Sequence, residues 1–303
     1  MSELKILIPL DGSKPAELAL RFLTALKPLG ALSVRLVSVR EGNEGESPED
    51  RARGREAVKR YIESVADRVQ HDFQLPVEHS IDSGIPYAQI IAETVKPDVD
   101  LLLMTTHGIS SFDPERLGSV TDKVVRGAFC PTLLIGPHAS VPLQVERITV
   151  PLDGSELASE ALPVARAFAE KLNARLRLVR AIESLSTLEA DSIGGLAADV
   201  VGSLEITARL YLEEAKLELG TRQPVETEVL TGPPAPTLLF DLKQNRPDLV
   251  IMTSHGRHGF IRWALGSVTD RIIRGSVPVL VLRPADSQSN KLATLLASEP
   301  AKA

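Results

Sequence analysis

Two stretches of the 303-residue chain carry residue types that could do chemistry, and they are copies of one another. From Asp100 the chain reads D-L-L-L-M-T-T-H-G, and after a nine-residue spacer it continues G-S-V-T-D at Gly118. From Asp248 it reads D-L-V-I-M-T-S-H-G, with the same spacer and then G-S-V-T-D at Gly266. Each copy is an apolar run of strand length, a glycine-bearing loop, and a helix opening at Gly-Ser. Ser119 and Ser267 stand where an N-cap is expected, with Asp122 and Asp270 three residues later as in a capping box. The first turn of a helix leaves N–H groups without intrahelical partners, and the dipole adds partial positive charge there. A phosphate fits such a site, and a glycine before the cap lets it approach the backbone. One such junction could be a capped surface helix that binds nothing. Two, each following an apolar strand, favour anion binding at Gly118, Ser119, Val120 and Thr121 and at Gly266, Ser267, Val268 and Thr269.

Other candidate groups lie where apolar runs end. Pro9-Leu10-Asp11 and Pro151-Leu152-Asp153 each close a strand-length run and are followed by Gly-Ser. A carboxylate there could accept from a base amino group or a ribose hydroxyl, or could make only an Asx-type turn and cap. His107 and His255 follow Thr or Ser in the loops, where a structural hydrogen bond is the commoner role. No other histidine recurs in both copies, which argues against a histidine-based metal site. Ser119 and Ser267 lack any sequence hint of a base with an orienting partner, which argues against a hydrolytic nucleophile. Cys130, the only cysteine, begins an apolar strand and reads as a buried structural thiol.

The elements that must position these groups come in two rounds. Apolar runs at Lys5–Leu10, Ala31–Val39, Val77–Ile81, Leu101–Met104 and Pro131–Ile135 alternate with helical patterns at Pro15–Leu29, Glu56–Val69 and from Pro86. The polar, glycine-bearing stretch Glu41–Arg55 reads as a mobile loop. At Arg147 the pattern restarts, R-I-T-V-P-L-D-G-S against K-I-L-I-P-L-D-G-S, and it ends in the strand Pro278–Leu282. This internal duplication is the chief organisational fact. The second copy is longer in Glu183–Leu204. The expected domains are 1–137 and 147–284, with a linker at 138–146 and a loose tail or marginal helix over 285–303. Strands that are apolar throughout and alternate with helices predict an α/β fold of two tandem, doubly wound, parallel five-stranded sheets. Ligands then bind at the carboxyl ends of the strands, where Asp11, Val39, Met104 and Thr105 lie in one copy and Asp153, Ala181, Met252 and Thr253 in the other.

Composition narrows the function further. A formal charge of −6 and no Lys/Arg run argue against nucleic-acid binding. No apolar run approaches 18 residues and no signal peptide precedes the first strand, so a soluble cytoplasmic protein is expected.

The whole chain apart from the tail resembles a tandem universal stress protein. The resemblance rests on P-L-D at the first strand, the H-G loop, G-S-V at the helix and the closing P-V-L-V-L strand. The ATP-binding branch of that family has the pattern G-x2-G-x9-G-[S/T]. Here Gly108 with Gly118-Ser119, and Gly256 with Gly266-Ser267, match its second and third glycines, while Thr105 and Thr253 replace the first. The second copy also keeps R-x-G as Arg257 and Gly259, as many nucleotide-binding members do. The first copy has Asp113 and Glu115 near where phosphates would lie.

The resemblance implies a Rossmann-like fold of the adenine-nucleotide α-hydrolase type and an adenine nucleotide, expected to be ATP, with Mg²⁺ possible on its phosphates. It implies a regulatory role in the stress response through a protein partner. It also implies pairing of the fifth strands, here within one chain as a pseudo-dimer, with homo-oligomers beyond that. Two other readings stand beside it. One is slow ATP hydrolysis or autophosphorylation on Ser119, Ser267, Thr121 or Thr269, although the chain has no P-loop motif. The other is a protein that binds no nucleotide and acts through protein contacts.

Overall fold

The computed structural model describes residues 3–42, 45–108, 117–183, 197–254, 265–283 and 287–297. Strand and helix alternate through the chain twice. The strands of the first half are β1 (Leu4–Pro9), β2 (Leu32–Arg40), β3 (Val77–Ser83), β4 (Leu101–Thr105) and β5 (Thr132–Ile135). Those of the second are β6 (Arg147–Pro151), β7 (Arg175–Ile182), β8 (Val225–Thr231), β9 (Leu249–Thr253) and β10 (Val279–Leu282). The two five-stranded sets join into one ten-stranded sheet in the order β3-β2-β1-β4-β5-β10-β9-β6-β7-β8. Neighbours are parallel throughout except β5 and β10, which run antiparallel.

The apolar runs explain this arrangement. Ile6 and Ile8 of β1 enter one core and Leu7 the other, so the strand is buried on both faces. The β4 residues divide in the same way, Leu101 and Leu103 against Leu102 and Met104. Such strands need a helix layer on each side. The helices Lys14–Arg21 and Pro48–Phe73 cover one face of the first half, and Pro86–Thr94 and Ser119–Gly127 cover the other.

At the seam, Val279, Leu280 and Val281 register with Leu134, Leu133 and Thr132. Arg283 reaches across to the end of the helix Ser119–Gly127, donating to the Ala128 carbonyl at 2.8 Å and to the Arg126 carbonyl. Because β5 and β10 are antiparallel, the carboxyl ends of the two sets of strands point to opposite edges of the sheet.

Some expected boundaries move. The helix expected over Glu56–Val69 runs from Pro48 to Phe73 and takes in most of the stretch expected to be a mobile loop. Ser47 caps it by accepting from the Asp50 amide at 3.1 Å, with Pro48 at the first helical position. Its first turns are polar because they face water. The helix expected over Pro15–Leu29 breaks into Lys14–Arg21, Leu23–Leu26 and a 3₁₀ turn at Lys27–Leu29, where Pro28 has no N–H to continue the α pattern. Where a loose tail or marginal helix was expected, Ser287–Ala297 is a helix with Leu292, Ala293 and Leu296 buried. Its Lys291 pairs with the buried Asp100 of the first half at 2.6 Å.

Candidate functional site

In each half the strand order reverses between the first and fourth strands, since β1 leads to β2 on one side and borders β4 on the other. Loops leaving the carboxyl ends of two such strands diverge to opposite faces, which opens a crevice there. Asp11 and Gly108 meet in the crevice of the first half. A β-carbon built on Gly108 would lie 2.2 Å from Asp11 Oδ2, so only glycine admits the carboxylate. Val39 lies half-buried at the end of the neighbouring β2. Leu10 continues the β1 ladder by donating its amide to Val37 at 2.8 Å, and Leu152 does the same to Val179 in the second half.

The Asp-Gly-Ser turn takes the Asx form. Asp11 Oδ1 accepts from the Ser13 amide at 2.9 Å, and Ser13 caps the helix Lys14–Arg21. Asp153 accepts from both the amide and the hydroxyl of Ser155, which caps the helix Glu156–Ser159. Gly12 and Gly154 sit at φ +85° and +86°, a left-handed conformation that favours glycine. Each aspartate therefore has a turn-making role at the crevice edge.

The Gly-Ser junction departs from the expected capping box. The N-caps are Gly118 and Gly266, not Ser119 and Ser267, and no side chain caps either helix. Asp122 and Asp270 point along their helices instead, pairing with Arg126 and Arg274 one turn on. Each junction is held from behind by the same pair of bonds. The Gly118 amide donates to the Thr106 carbonyl at 2.9 Å, and Thr121 Oγ1 donates to the Thr105 carbonyl at 3.1 Å. The Gly266 amide donates to Ser254 at 2.8 Å, and Thr269 Oγ1 donates to Thr253 at 3.1 Å. The first helical residues, Ser119-Val120 and Ser267-Val268, thus have their opening turn anchored to the strand, and among the described residues no side chain caps its amides. The helix is nine residues long in the first half and six in the second.

Thr105, at the position of the pattern's first glycine, is buried and donates its hydroxyl to the His107 carbonyl at 2.7 Å. His107 is buried as well, with Nδ1 2.8 Å from the Thr106 hydroxyl. Met104, Met252 and Thr253 are buried at the ends of β4 and β9, and Pro9 and Pro151 end β1 and β6. Ala181 lies half-buried near the end of β7. His255, Gly256, Arg257 and Gly259 lie outside the described residues, as do Asp113 and Glu115.

Sequence reasoning missed a tyrosine on the long helix of each half. Tyr61 donates to Glu17 Oε1 at 3.1 Å. Burial, reinforced by that carboxylate, raises its pKa and keeps the phenol protonated. Tyr211 bonds Ser159 Oγ at 2.8 Å, and the Arg180 guanidinium lies 5.0 Å from its ring centre. Arg180 also packs on Gly154, whose absent β-carbon would stand 2.7 Å from it. With only three tyrosines in the chain, one on each long helix was the available signal.

Comparison with known proteins agrees with the duplication. The Universal stress protein family model matches residues 4–136 and again residues 144–283. A universal stress protein of Mycobacterium tuberculosis is 27% identical over 233 residues, covering 76% of this chain and 77% of that one. One from Methanocaldococcus jannaschii is 29% identical over 147 residues, covering 46% of this chain and 82% of that one. Among solved structures, a universal stress protein from Archaeoglobus fulgidus has the same fold at a TM-score of 0.70 and 22% identity, covering 92% of this chain and 98% of that one. The chain belongs to the universal stress protein family and holds two of its domains in tandem.

Proposed function

We propose that the crevices bind the phosphates of an adenine nucleotide, ATP foremost, and that the protein regulates stress responses through nucleotide-dependent contacts with a protein partner. The supporting observation is the helix start at Gly118-Ser119, repeated at Gly266-Ser267. It is held from behind by Thr121 or Thr269, and among the described residues no side chain caps its amides. These are donors aimed at an anion, at the switch point where α/β sheets bind ligands. Asp11 and Asp153 would serve the ribose or base end, beside Val39 and Ala181. Mg²⁺ in this reading arrives with the phosphates and supplies charge neutralisation there. Thr121 and Thr269 spend their hydroxyls on carbonyls, which disfavours them as phosphoryl acceptors.

Arg257 and Gly259 rank the second crevice first, because Asp113 and Glu115 bring like charge to the first loop. That is worth about 1 kcal/mol at an exposed position. Helix length ranks them the other way, so stoichiometry decides. Freshly purified protein is denatured and its supernatant assayed for nucleotide by mass and absorbance, and the protein is titrated with Mg-ATP. One equivalent, lost in Gly266→Val, supports the second crevice alone. Two equivalents, with one lost in Gly266→Val and the other in Gly118→Val, support both. No retained nucleotide and no heat of binding sink the reading and favour action through protein contacts alone.

A further inference from the structure

The helix Ala197–Leu219 has an apolar side that the fold does not use. Its buried positions are Ala208, Leu212, Ala215 and Leu219, which enter the core against β7 and β8. On the opposite side Ile206, Leu210 and Leu217 form a stripe at intervals of four and seven residues, exposed by 62%, 66% and 81%. Scattered exposed leucines need no explanation, but an aligned row does.

The internal duplication supplies a control. The corresponding helix of the first half, Pro48–Phe73, buries Ile62, Val65 and Val69 where the second buries Leu212, Ala215 and Leu219. Tyr61 and Tyr211 match in the same register, each bonded to a residue of the first helix of its half. In that register the counterparts of Ile206, Leu210 and Leu217 are Glu56, Arg60 and Asp67, all exposed. The same surface is thus charged in one half and apolar in the other.

We propose that this stripe docks a second copy of the chain, helix against antiparallel helix, about a twofold axis near Tyr211. The arrangement is self-complementary. With the axis there, the Leu210 side chains of the two copies meet beside it, and Ile206 of each copy comes within about one residue's rise of Leu217 of the other. Arg209 and Glu213 lie on one flank of the stripe at equal distances from the axis, so each Arg209 faces the Glu213 of the other copy. Both remain exposed, Arg209 pairing with Glu205 of its own helix and Glu213 lying near Lys216 while accepting from Thr227 Oγ1 of β8 at 2.5 Å. The fifth strands are already paired within the chain and cannot serve this purpose. A twofold, self-complementary contact closes the assembly at two copies. A contact built on three apolar side chains of one helix belongs with weak, transient interfaces, so the dimer should form and dissociate reversibly, with a Kd on the order of micromolar or above.

The test is sedimentation equilibrium of the full chain from about 1 to 300 µM, a range chosen to bracket that Kd. The mass should rise from 32.7 kDa toward twice that value. The variant I206E/L210R/L217D installs the residues that the first half carries at these positions, and it should stay monomeric throughout. Arg209→Glu should weaken association at least tenfold, and adding Glu213→Arg should restore it. Leu210→Cys should give a disulfide-linked dimer on mild oxidation, which reads the contact without disturbing the charges. A wild-type mass that stays at 32.7 kDa overturns the proposal, as does a dimer that survives the triple substitution. Failure of the charge exchange to restore association overturns the antiparallel register.

Discussion

Gly136 and Gly275 approach one another across the seam so closely that a β-carbon on Gly136 would stand 2.6 Å from the Gly275 carbonyl oxygen. The obstacle is backbone, which cannot swing aside as a side chain would. Gly136→Ala should therefore cost about 1–3 kcal/mol by overpacking. Urea denaturation reads this as a lower midpoint with an unchanged slope. An unaltered midpoint would mean that the halves can slide apart at no cost.

Gly108→Ala tests a different sort of contact. Its β-carbon would collide with Asp11 Oδ2, the end of a movable side chain on an exposed residue. The carboxylate should swing out, leaving thermal stability within about 1 kcal/mol of wild type. If nucleotide binds the first crevice, its affinity there should fall about tenfold or more, and Asp11→Ala should match that loss. Unchanged affinity in both variants would remove Asp11 from the site.

Acid should loosen one ion cluster only at the bottom of the carboxylate range. Hydrogen bonding from the Arg35 guanidinium, opposed by partial burial and aided by Lys5, holds the Asp98 carboxyl down to about 2. Because the folded value lies below the unfolded one, the stabilisation is complete above about pH 4 and is lost as the pH falls toward about 2. Asp98 is nearly half exposed, so the effect on stability should stay below about 1 kcal/mol. Carboxyl NMR titration checks it directly. Arg35→Gln should move the Asp98 midpoint upward, and no movement would show that the cluster is not held this way in solution.

Cys130 should be inert in the native protein. Burial pushes its thiol up to about 12, leaving almost no thiolate at neutral pH. A chromogenic disulfide reagent should find no reactive thiol before denaturation and one after it. Rapid labelling of the native chain would contradict the packing at the start of β5.

The duplication, the strands and the crevice edge were all legible in the sequence, because each rests on repeated apolar runs closed by Asp-Gly-Ser or His-Gly. The seam was expected from the resemblance to the family, and it accords with the need to cover two short apolar closing strands that would otherwise lie open at sheet edges. The helix caps were misread by one residue, as S-x-x-D fits a capping box equally well when the serine is already inside the helix. The start of the long helix at Pro48 had its own signal, Ser47-Pro48-Glu49-Asp50, obscured by the absence of an apolar stripe in turns that face water. The stacking of Arg180 on Tyr211 and Gly154 joins residues far apart in the chain, and no local pattern encodes it.

The antiparallel junction of β5 with β10 has a consequence for dilution. Two separate chains meeting along such an edge would part as their concentration fell. Here residues 138–146 tether the edges at an effective concentration on the order of millimolar, whatever the abundance of the protein. The partnership has fixed composition, one of each half, and is inherited as a single unit. That frees the halves to diverge, so the position held by Glu17 in one can be Ser159 in the other, and that of Glu56 can be Ile206, without either half risking a mismatched mate.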